Sequence, residues 1–309
     1  MPVEYESLAG AVADACGAKI IEKRAVPGGD INRAYVLTLS SGERAFVKEN
    51  ARANRDFFHA EAEGLAAMEQ TGAVRTPAVL AAGTDGDRSF LLMTYIPSGQ
   101  PGPHTMEQLG RDLAAMHAAD TAAFLPAAGE AVDAKAAQVT AIGLYGFKHD
   151  NYIGSGFQLN TPKDSWISFF RECRLRPQFA RAGGYFDTAD KKKIERLLDH
   201  LNQYLAEPAH PSLLHGDFWA GNYMVDRDGA PWLIDPAAYV GHAEADIAMT
   251  ELFGGFDQAF YGAYKEAAGL SADYRDRRDL YNLYHLLNHL NLFGGSYLSS
   301  VLAILHRYA

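Results

Sequence analysis

The chain has 309 residues, 48% of them hydrophobic and 21% charged, with a formal net charge of −10. This is the balance of a soluble globular protein with room for one large domain or two modest lobes. The acidity argues against a general nucleic-acid binder, which needs a basic footprint, and no apolar run reaches bilayer length, so no membrane partner is expected. Cys16 and Cys173 are too few and too far apart for a disulfide framework or a metal cluster. With no basic n-region at the N-terminus, the expected compartment is the reducing cytoplasm.

Apolar runs at 19–26, 34–39 and 45–47 predict strands, the last two joined by a turn at Ser41-Gly42. Between the first two, Pro27-Gly-Gly-Asp-Ile-Asn-Arg-Ala-Tyr35 places Gly28 and Gly29 in a turn. Glycines let a backbone approach phosphates and present N–H groups, although such a turn more often only connects strands. No Gly-Lys-Ser/Thr follows, so it is not a Walker A loop. Phe46-Val-Lys48 then ends a strand on a lysine. Such a lysine is either solvated or reaches phosphates while pairing with a carboxylate on a neighbouring helix. The helix predicted over 54–70, stopped by Gly72, offers Glu61 and Glu63. Two residues apart, they point to different faces. Glu61, three residues after Phe58 and four before Leu65, lies on the inward stripe and is the expected partner.

Residues 89–96 read as a buried strand, closed by the Pro/Gly cluster at 97–103, the clearest boundary in the chain. Beyond it helical patterns dominate, at 106–119, 166–182, 191–205 and 280–292. One β element stands out. Leu213-Leu-His-Gly-Asp-Phe-Trp-Ala-Gly-Asn222 is followed by Tyr-Met-Val, the turn Asp226-Arg-Asp-Gly229, and Pro-Trp-Leu-Ile-Asp-Pro236. Two apolar runs around a Gly-ending turn predict a hairpin, which brings Asn222 and Asp235 to one small volume with Asp217 at its edge. Oxygen ligands from Asn and Asp suit Mg²⁺, which otherwise binds substrate phosphates, and Asp217 is left to accept a hydroxyl proton. One base and two metal ligands form the phosphoryl-transfer arrangement of kinases. A structural hairpin with a chance Asp and Asn is the competing reading.

Trp219, two residues past Asp217, is either core or faces a sugar or amine substrate. His215 is expected to fix its loop rather than carry protons, with Asp246 hydrogen-bonded to that loop's backbone or to His215. His285 and His289 have a metal-binding spacing but no evident third ligand, so core or cleft-wall roles are expected.

The order of glycine turn, strand lysine, helix glutamate and His-Gly-Asp hairpin resembles the protein-kinase-like superfamily in its small-molecule branch. Over nearly its whole length the chain is similar to the fructosamine/ketosamine-3-kinase family. The matching stretches are 28–35, 46–48 and 213–222, then Asp235-Pro-Ala-Ala-Tyr-Val-Gly-His242 and 244–256 with its Phe253-Gly-Gly-Phe256. Tyr145-Gly-Phe-Lys-His-Asp-Asn151 and 166–178 are also family-like. The resemblance implies an α+β, bilobal kinase-like fold. A β-rich ATP-binding lobe would span 1–96 and a mainly helical catalytic and substrate lobe 97–309.

It further implies ATP- and Mg²⁺-dependent phosphorylation of the 3-hydroxyl of a ketosamine, free or protein-bound. The 3-phosphate is unstable and eliminates, so the activity amounts to deglycation repair. By matching positions Asp217 is the base and Asn222 and Asp235 are the Mg²⁺ ligands. Lys48 with Glu61 holds phosphates, Gly28 and Gly29 lie over them, and Met93, Thr94 and Tyr95 carry the adenine-facing backbone. Relatives often have Glu in the strand-end segment where this chain has Met93-Thr-Tyr95, and some have a cysteine in the glycine turn, where this chain has Asp30 and no Cys, so redox control of the turn is not carried over. Lys148 and His149 shift a Gly-Phe-His register, which puts that segment's substrate role in doubt. Assembly is expected as monomer or homodimer. The alternatives are a kinase for an aminoglycoside or choline-like acceptor, or a catalytically silent scaffold. The scaffold would be expected to lack one of Lys48, Asp217, Asn222 and Asp235, and all four are present.

Overall fold

A computed structural model describes residues 4–27, 31–127 and 144–309. The chain opens with β1 (Glu4–Tyr5), α1 (Leu8–Cys16), β2 (Ile20–Val26), β3 (Arg33–Leu39), β4 (Arg44–Ala51), α2 (Arg55–Gln70), β5 (Val79–Asp85) and β6 (Arg88–Thr94). The strands form one sheet in the order β1-β5-β6-β4-β3-β2, antiparallel except for the β1–β5 pair.

Strand alternation assigns the two faces. Leu37, Leu39, Ala45, Val47, Phe90 and Leu92 pack with Leu8, Ala11 and Val12 of α1. Leu91 and Met93 pack with Phe58, Ala62, Leu65 and Met68 of α2. Buried on both faces, β6 reads as a continuous apolar run. Because Val47 faces α1, its neighbour Lys48 faces α2. The turn at Ser41-Gly42 and the stop at Gly72 are where the sequence places them, both glycines having positive φ.

Two differences have simple causes. β5 is not predicted by its own residues, since Val-Leu-Ala-Ala-Gly-Thr-Asp has weak strand propensity; pairing with β6 and β1 makes it a strand. β6 ends at Thr94 rather than at 96, because Thr94 donates its N–H to Ala78 O and accepts from Ala78 N on Oγ1, both at 3.0 Å.

The remainder comprises α3 (Thr105–His117), β7 (Asn151–Ile153), β8 (Gly156–Gln158), α4 (Trp166–Phe169), α5 (Arg176–Arg181), α6 (Thr188–Asp199), β9 (Ser212–Leu214), β10 (Tyr223–Val225), β11 (Pro231–Leu233), β12 (Tyr239–Gly241), α7 (Glu244–Leu252), α8 (Gln258–Ala268), α9 (Tyr274–Phe293) and α10 (Leu298–Tyr308). The expected hairpin is β10–β11, with Tyr223 opposite Leu233. It is not the only β element in this half: β7–β8 is a second hairpin and β9 pairs with β12. Three-residue strands are too short to show a period.

The helix expected over 166–182 is split by a π-helical turn, Phe170–Leu175. Pro177 has no N–H to give Cys173 O, the helical acceptor four residues back. Arg174 Nη1 reaches that carbonyl instead, at 3.0 Å. α6 begins at Thr188, three residues before the expected start, because Asp187 caps Ala189 N and Asp190 N at 2.7 and 2.8 Å. No helix among the described residues is long and apolar enough to cross a membrane.

Candidate active site

The site lies where the α2 face of the sheet meets the loop 213–222 and the β10–β11 hairpin. Lys48 Nζ meets Glu61 Oε1 at 2.6 Å and also pairs with Asp235 Oδ1. The Lys48 side chain is 9% exposed and that of Glu61 11%, whereas Asp235 is 46% exposed. Burial works against the Lys48 ammonium, but Asp235 and Glu61 outweigh it and hold its pKa above the ordinary lysine value. The Glu61 pairing follows from the inward stripe of α2. The contact to Asp235, 187 residues away, has no local signature. Glu63 points elsewhere, to His149 Nδ1 at 2.8 Å.

The 213–222 loop is held from below by Asp246, whose carboxylate accepts His215 N at 2.7 Å and Gly216 N at 2.9 Å. The same carboxylate meets His117 Nε2 at 3.1 Å, and His117 Nδ1 contacts Tyr264 Oη. The expected link from Asp246 to loop backbone is therefore present, and His117 is an addition that only the tertiary structure supplies. Gly216 is required sterically: its φ is +81° and a Cβ there would collide with Ala237 O. His215 Nε2 lies 2.9 Å from Ile234 O, and a carbonyl can only accept, so Nε2 carries the proton and Nδ1 accepts Asp217 N–H at 3.3 Å. Burial lowers the His215 pKa. Neutral and engaged at both nitrogens, this ring orients the loop.

Asn222 Nδ2 donates to Asp217 O at 2.8 Å and to Asp217 Oδ2 at 3.1 Å. Burial pushes the Asp217 carboxyl up to about 7, Asn222 pulls it down, and the charges of Asp235 and Asp246 add to the rise. Among the described residues no donor reaches Asn222 Oδ1. Ile234 N bonds Asn222 O at 3.0 Å, which closes the hairpin and sets Asp235 beside the same loop. Asp235 has φ +56°, a left-handed conformation that costs a non-glycine residue about 1–3 kcal/mol and concentrates at functional positions. Among the described residues no cluster of three or more His, Cys, Asp or Glu is built for a metal. A two-ligand set of one amide oxygen and one carboxylate suits Mg²⁺, which takes its remaining ligands from water and phosphates.

Gly28 and Gly29, like Asp30, lie outside the described residues. Met93 is buried in the core, and in the sheet it lies opposite Phe46 of β4 and Val79 of β5. Thr94 closes β6, and Tyr95 follows it with the Arg44 guanidinium 4.2 Å over its ring. Trp219 is 40% exposed and meets Phe253, 42% exposed, at 6.3 Å edge to face. Phe256 of the same Phe-Gly-Gly-Phe segment turns inward onto Phe218 and Phe260. His285 is buried in α9, and His289 donates from Nδ1 to His285 O at 2.8 Å while its ring packs on Phe253. His285 is a core histidine, as expected, and His289 is half-buried against Phe253, Phe293 and Tyr297.

A sheet of this order over a helical lobe, with a buried lysine–glutamate pair beside an Asp/Asn loop, defines a phosphotransferase with the kinase-like fold. Macrolide 2′-phosphotransferase type I shares that fold at a TM-score of 0.57 and 16% identity, over 98% of this chain and 95% of its own. The chain belongs to the fructosamine kinase family, whose sequence profile matches residues 5–309. It is 37% identical to a probable ketoamine kinase of Synechocystis sp., over 96% of this chain and 94% of that one. It is 39% identical to the chloroplastic protein-ribulosamine 3-kinase of Arabidopsis thaliana, over 92% and 81%. A crystal structure described as a fructosamine-3-kinase from Thermobifida fusca matches at a TM-score of 0.79 and 30% identity, covering 98% of each chain.

Proposed function

We propose that the protein is a ketosamine 3-kinase that uses ATP and Mg²⁺ to phosphorylate the 3-hydroxyl of ribulosamines, erythrulosamines or fructosamines, as a step in deglycation. The observation that carries this reading is the division of labour at Asn222. Its Nδ2 holds the Asp217 carboxylate, while its Oδ1 is left for a cation shared with Asp235. Support comes also from membership of the fructosamine kinase family and from the ribulosamine and ketoamine kinases among its relatives.

In this reading the acceptor hydroxyl sits against Asp217, which takes its proton as the oxygen bonds to the γ-phosphorus and the bond to the β-phosphate oxygen breaks. Asn222 and Asp235 would hold Mg²⁺, which neutralises charge developing on the phosphates. Lys48 would turn its ammonium from Asp235 toward them, kept in place by Glu61. Met93, Thr94 and Tyr95 would face adenine with their backbone, and Trp219, continued by Phe253, would meet the apolar sugar face or the amine. In this reading the lobe boundary would lie at 96/97, between β6 and the Pro/Gly connection. The two free cysteines suit a reducing compartment such as the cytoplasm. A monomer or homodimer would accommodate either a free or a protein-bound ketosamine.

The test is Mg²⁺-dependent ADP release with ribulosyl-, erythrulosyl- and fructosyl-lysine beside kanamycin and choline. Turnover confined to the ketosamines supports the reading, and turnover on kanamycin or choline alone overturns the substrate. Two further results are expected. Lys48→Met raises the KM for ATP at least about tenfold and lowers kcat by roughly 10²-fold, as loss of a buried phosphate contact implies; kinetics within twofold of wild type would remove Lys48 from the site. The pH profile should have an acid limb. A carboxyl titrating at about 7 is protonated below that pH and cannot accept the hydroxyl proton. Activity should therefore fall by up to about tenfold per unit as pH drops below the limb and level off above it. A bound dication lowers the limb by offsetting the charge of Asp235. A profile with no acid limb down to pH 4 would count against Asp217 as base.

A further inference from the structure

We infer that Asn151, Gln158, Asn160 and Arg174 are positioning residues for Asp235, a buried relay that sets its carboxylate by gripping the backbone just downstream. The inference rests on the reading of Asp235 as a ligand of the nucleotide-bound cation.

Asp235 is half exposed and strained, so its geometry must be imposed by the chain around it. The residues that follow, Pro236-Ala-Ala238, have no polar side chains with which to fix themselves. Their carbonyls are held from outside. Ala237 O accepts from Gln158 Nε2 at 3.0 Å, and Ala238 O accepts from Asn151 Nδ2 at 2.8 Å. On the opposite side Ala237 N donates to His215 O at 2.9 Å, so the segment is clamped between the β7–β8 hairpin and the Asp217 loop.

The orientation of each amide is determined by its partners. Asn151 Oδ1 accepts from both Gln158 Nε2 at 2.8 Å and Asn160 Nδ2 at 2.9 Å, which directs Asn151 Nδ2 to Ala238 O. Tyr284 Oη donates to Gln158 Oε1 at 2.6 Å, which directs Gln158 Nε2 to Ala237 O. Asn160 Oδ1 accepts from Arg174 Nη2 at 2.8 Å. All five side chains are almost completely buried.

Arg174 is the unusual member. It is fully buried, and among the described residues no carboxylate lies within ion-pairing distance. The Tyr239 and Phe169 rings lie 3.8 and 4.6 Å from its guanidinium. A buried cation without an anion is costly, and an apolar residue of similar size often serves packing better. A charge at the head of a hydrogen-bond chain polarises the amides along it, and here the chain ends on the Asp235 loop. The same hairpin also touches α2: His149 pairs with Glu63, and the Tyr152 ring lies 4.3 Å from Phe57. It therefore sets Asp235 against the helix that carries Glu61, the other carboxylate on Lys48.

The test compares the full-length wild type with Asn151→Leu, which keeps volume but loses the donor, and Tyr284→Phe, which loses only the hydroxyl that orients Gln158. Calorimetry reads Mn²⁺·ADP and metal-free ADP binding, and thermal unfolding and steady-state kinetics are run alongside. Asn151→Leu is expected to weaken Mn²⁺·ADP about tenfold, as loss of a residue behind a metal ligand does. It should lower kcat, with metal-free ADP binding and the ketosamine KM within about twofold of wild type. Tyr284→Phe should show the same split at about threefold. A lower Tm with unchanged Mn²⁺·ADP affinity would overturn the relay and leave a packing role. If Asn151→Leu fails to fold, Tyr284→Phe decides on the same criterion. Wild type that binds Mn²⁺·ADP yet turns over no ketosamine would remove the substrate reading and leave the relay intact. Wild type that does not bind Mn²⁺·ADP would overturn both.

Discussion

Asp217→Asn is expected to lower ketosamine turnover by about 10²–10⁴-fold, the usual contribution of a positioned base. The loss should fall on kcat, with binding of Mg²⁺·ATP near the wild-type value. The substituted amide keeps size and shape but has no basic oxygen for the hydroxyl proton. The surroundings that raise the Asp217 pKa, burial first and the charges of Asp235 and Asp246 after it, also make a neutral side chain easy to accommodate. The variant should therefore fold at least as stably as wild type. Residual activity within tenfold of wild type would show that the hydroxyl gives up its proton elsewhere. A single-turnover experiment with bound ATP separates this from an effect on nucleotide affinity.

The largest expected effect on stability comes from Asp246→Ala. It leaves the amides of His215 and Gly216 and the His117 imidazole without their shared acceptor, all in a buried setting. Orphaning a buried network of this kind costs about 3–5 kcal/mol, which for a chain of this size is a fall in Tm of roughly 5–10 °C. Burial alone would raise the Asp246 pKa, but the contacts with His117, His215 and Gly216 hold it below the ordinary value. A depressed acid stabilises the folded state above its unfolded pKa of about 4 and loses that contribution as pH falls through the folded value. The gap in stability between wild type and variant should therefore be full at neutral pH and shrink only in strong acid. Chemical denaturation at pH 7 and below pH 4 checks both statements. A difference under 1 kcal/mol at pH 7 would mean that water or another side chain replaces the carboxylate.

Much of the site was legible in order along the chain. Strand alternation puts Lys48 on the side of the sheet opposite Val47, and the apolar stripe of α2 brings Glu61 to the same side, because period 2 and period 3.6 each assign a residue to a face. The turn Asp226-Arg-Asp-Gly229 between two apolar runs defines the hairpin that returns Asp235 to Asn222.

What the sequence by itself determined was therefore local: the strands β2 to β4 and β6, the inward stripe of α2, and the two carboxylates and the amide around one hairpin. The tertiary structure decided the rest. β5 is a strand because β1 and β6 flank it, not because of its alanines. Lys48 reaches Asp235 across 187 positions, and Asp246 gathers His117 from 129 positions away. The β7–β8 hairpin fell inside a stretch that carried no β signal and proved to grip the Asp235 loop. The physical reason is common to all of these. Periodicity and turn chemistry act over a few residues and leave a trace in sequence, whereas a buried hydrogen bond between distant residues requires only that each polar group find some partner. Which partner it finds is settled when the elements pack.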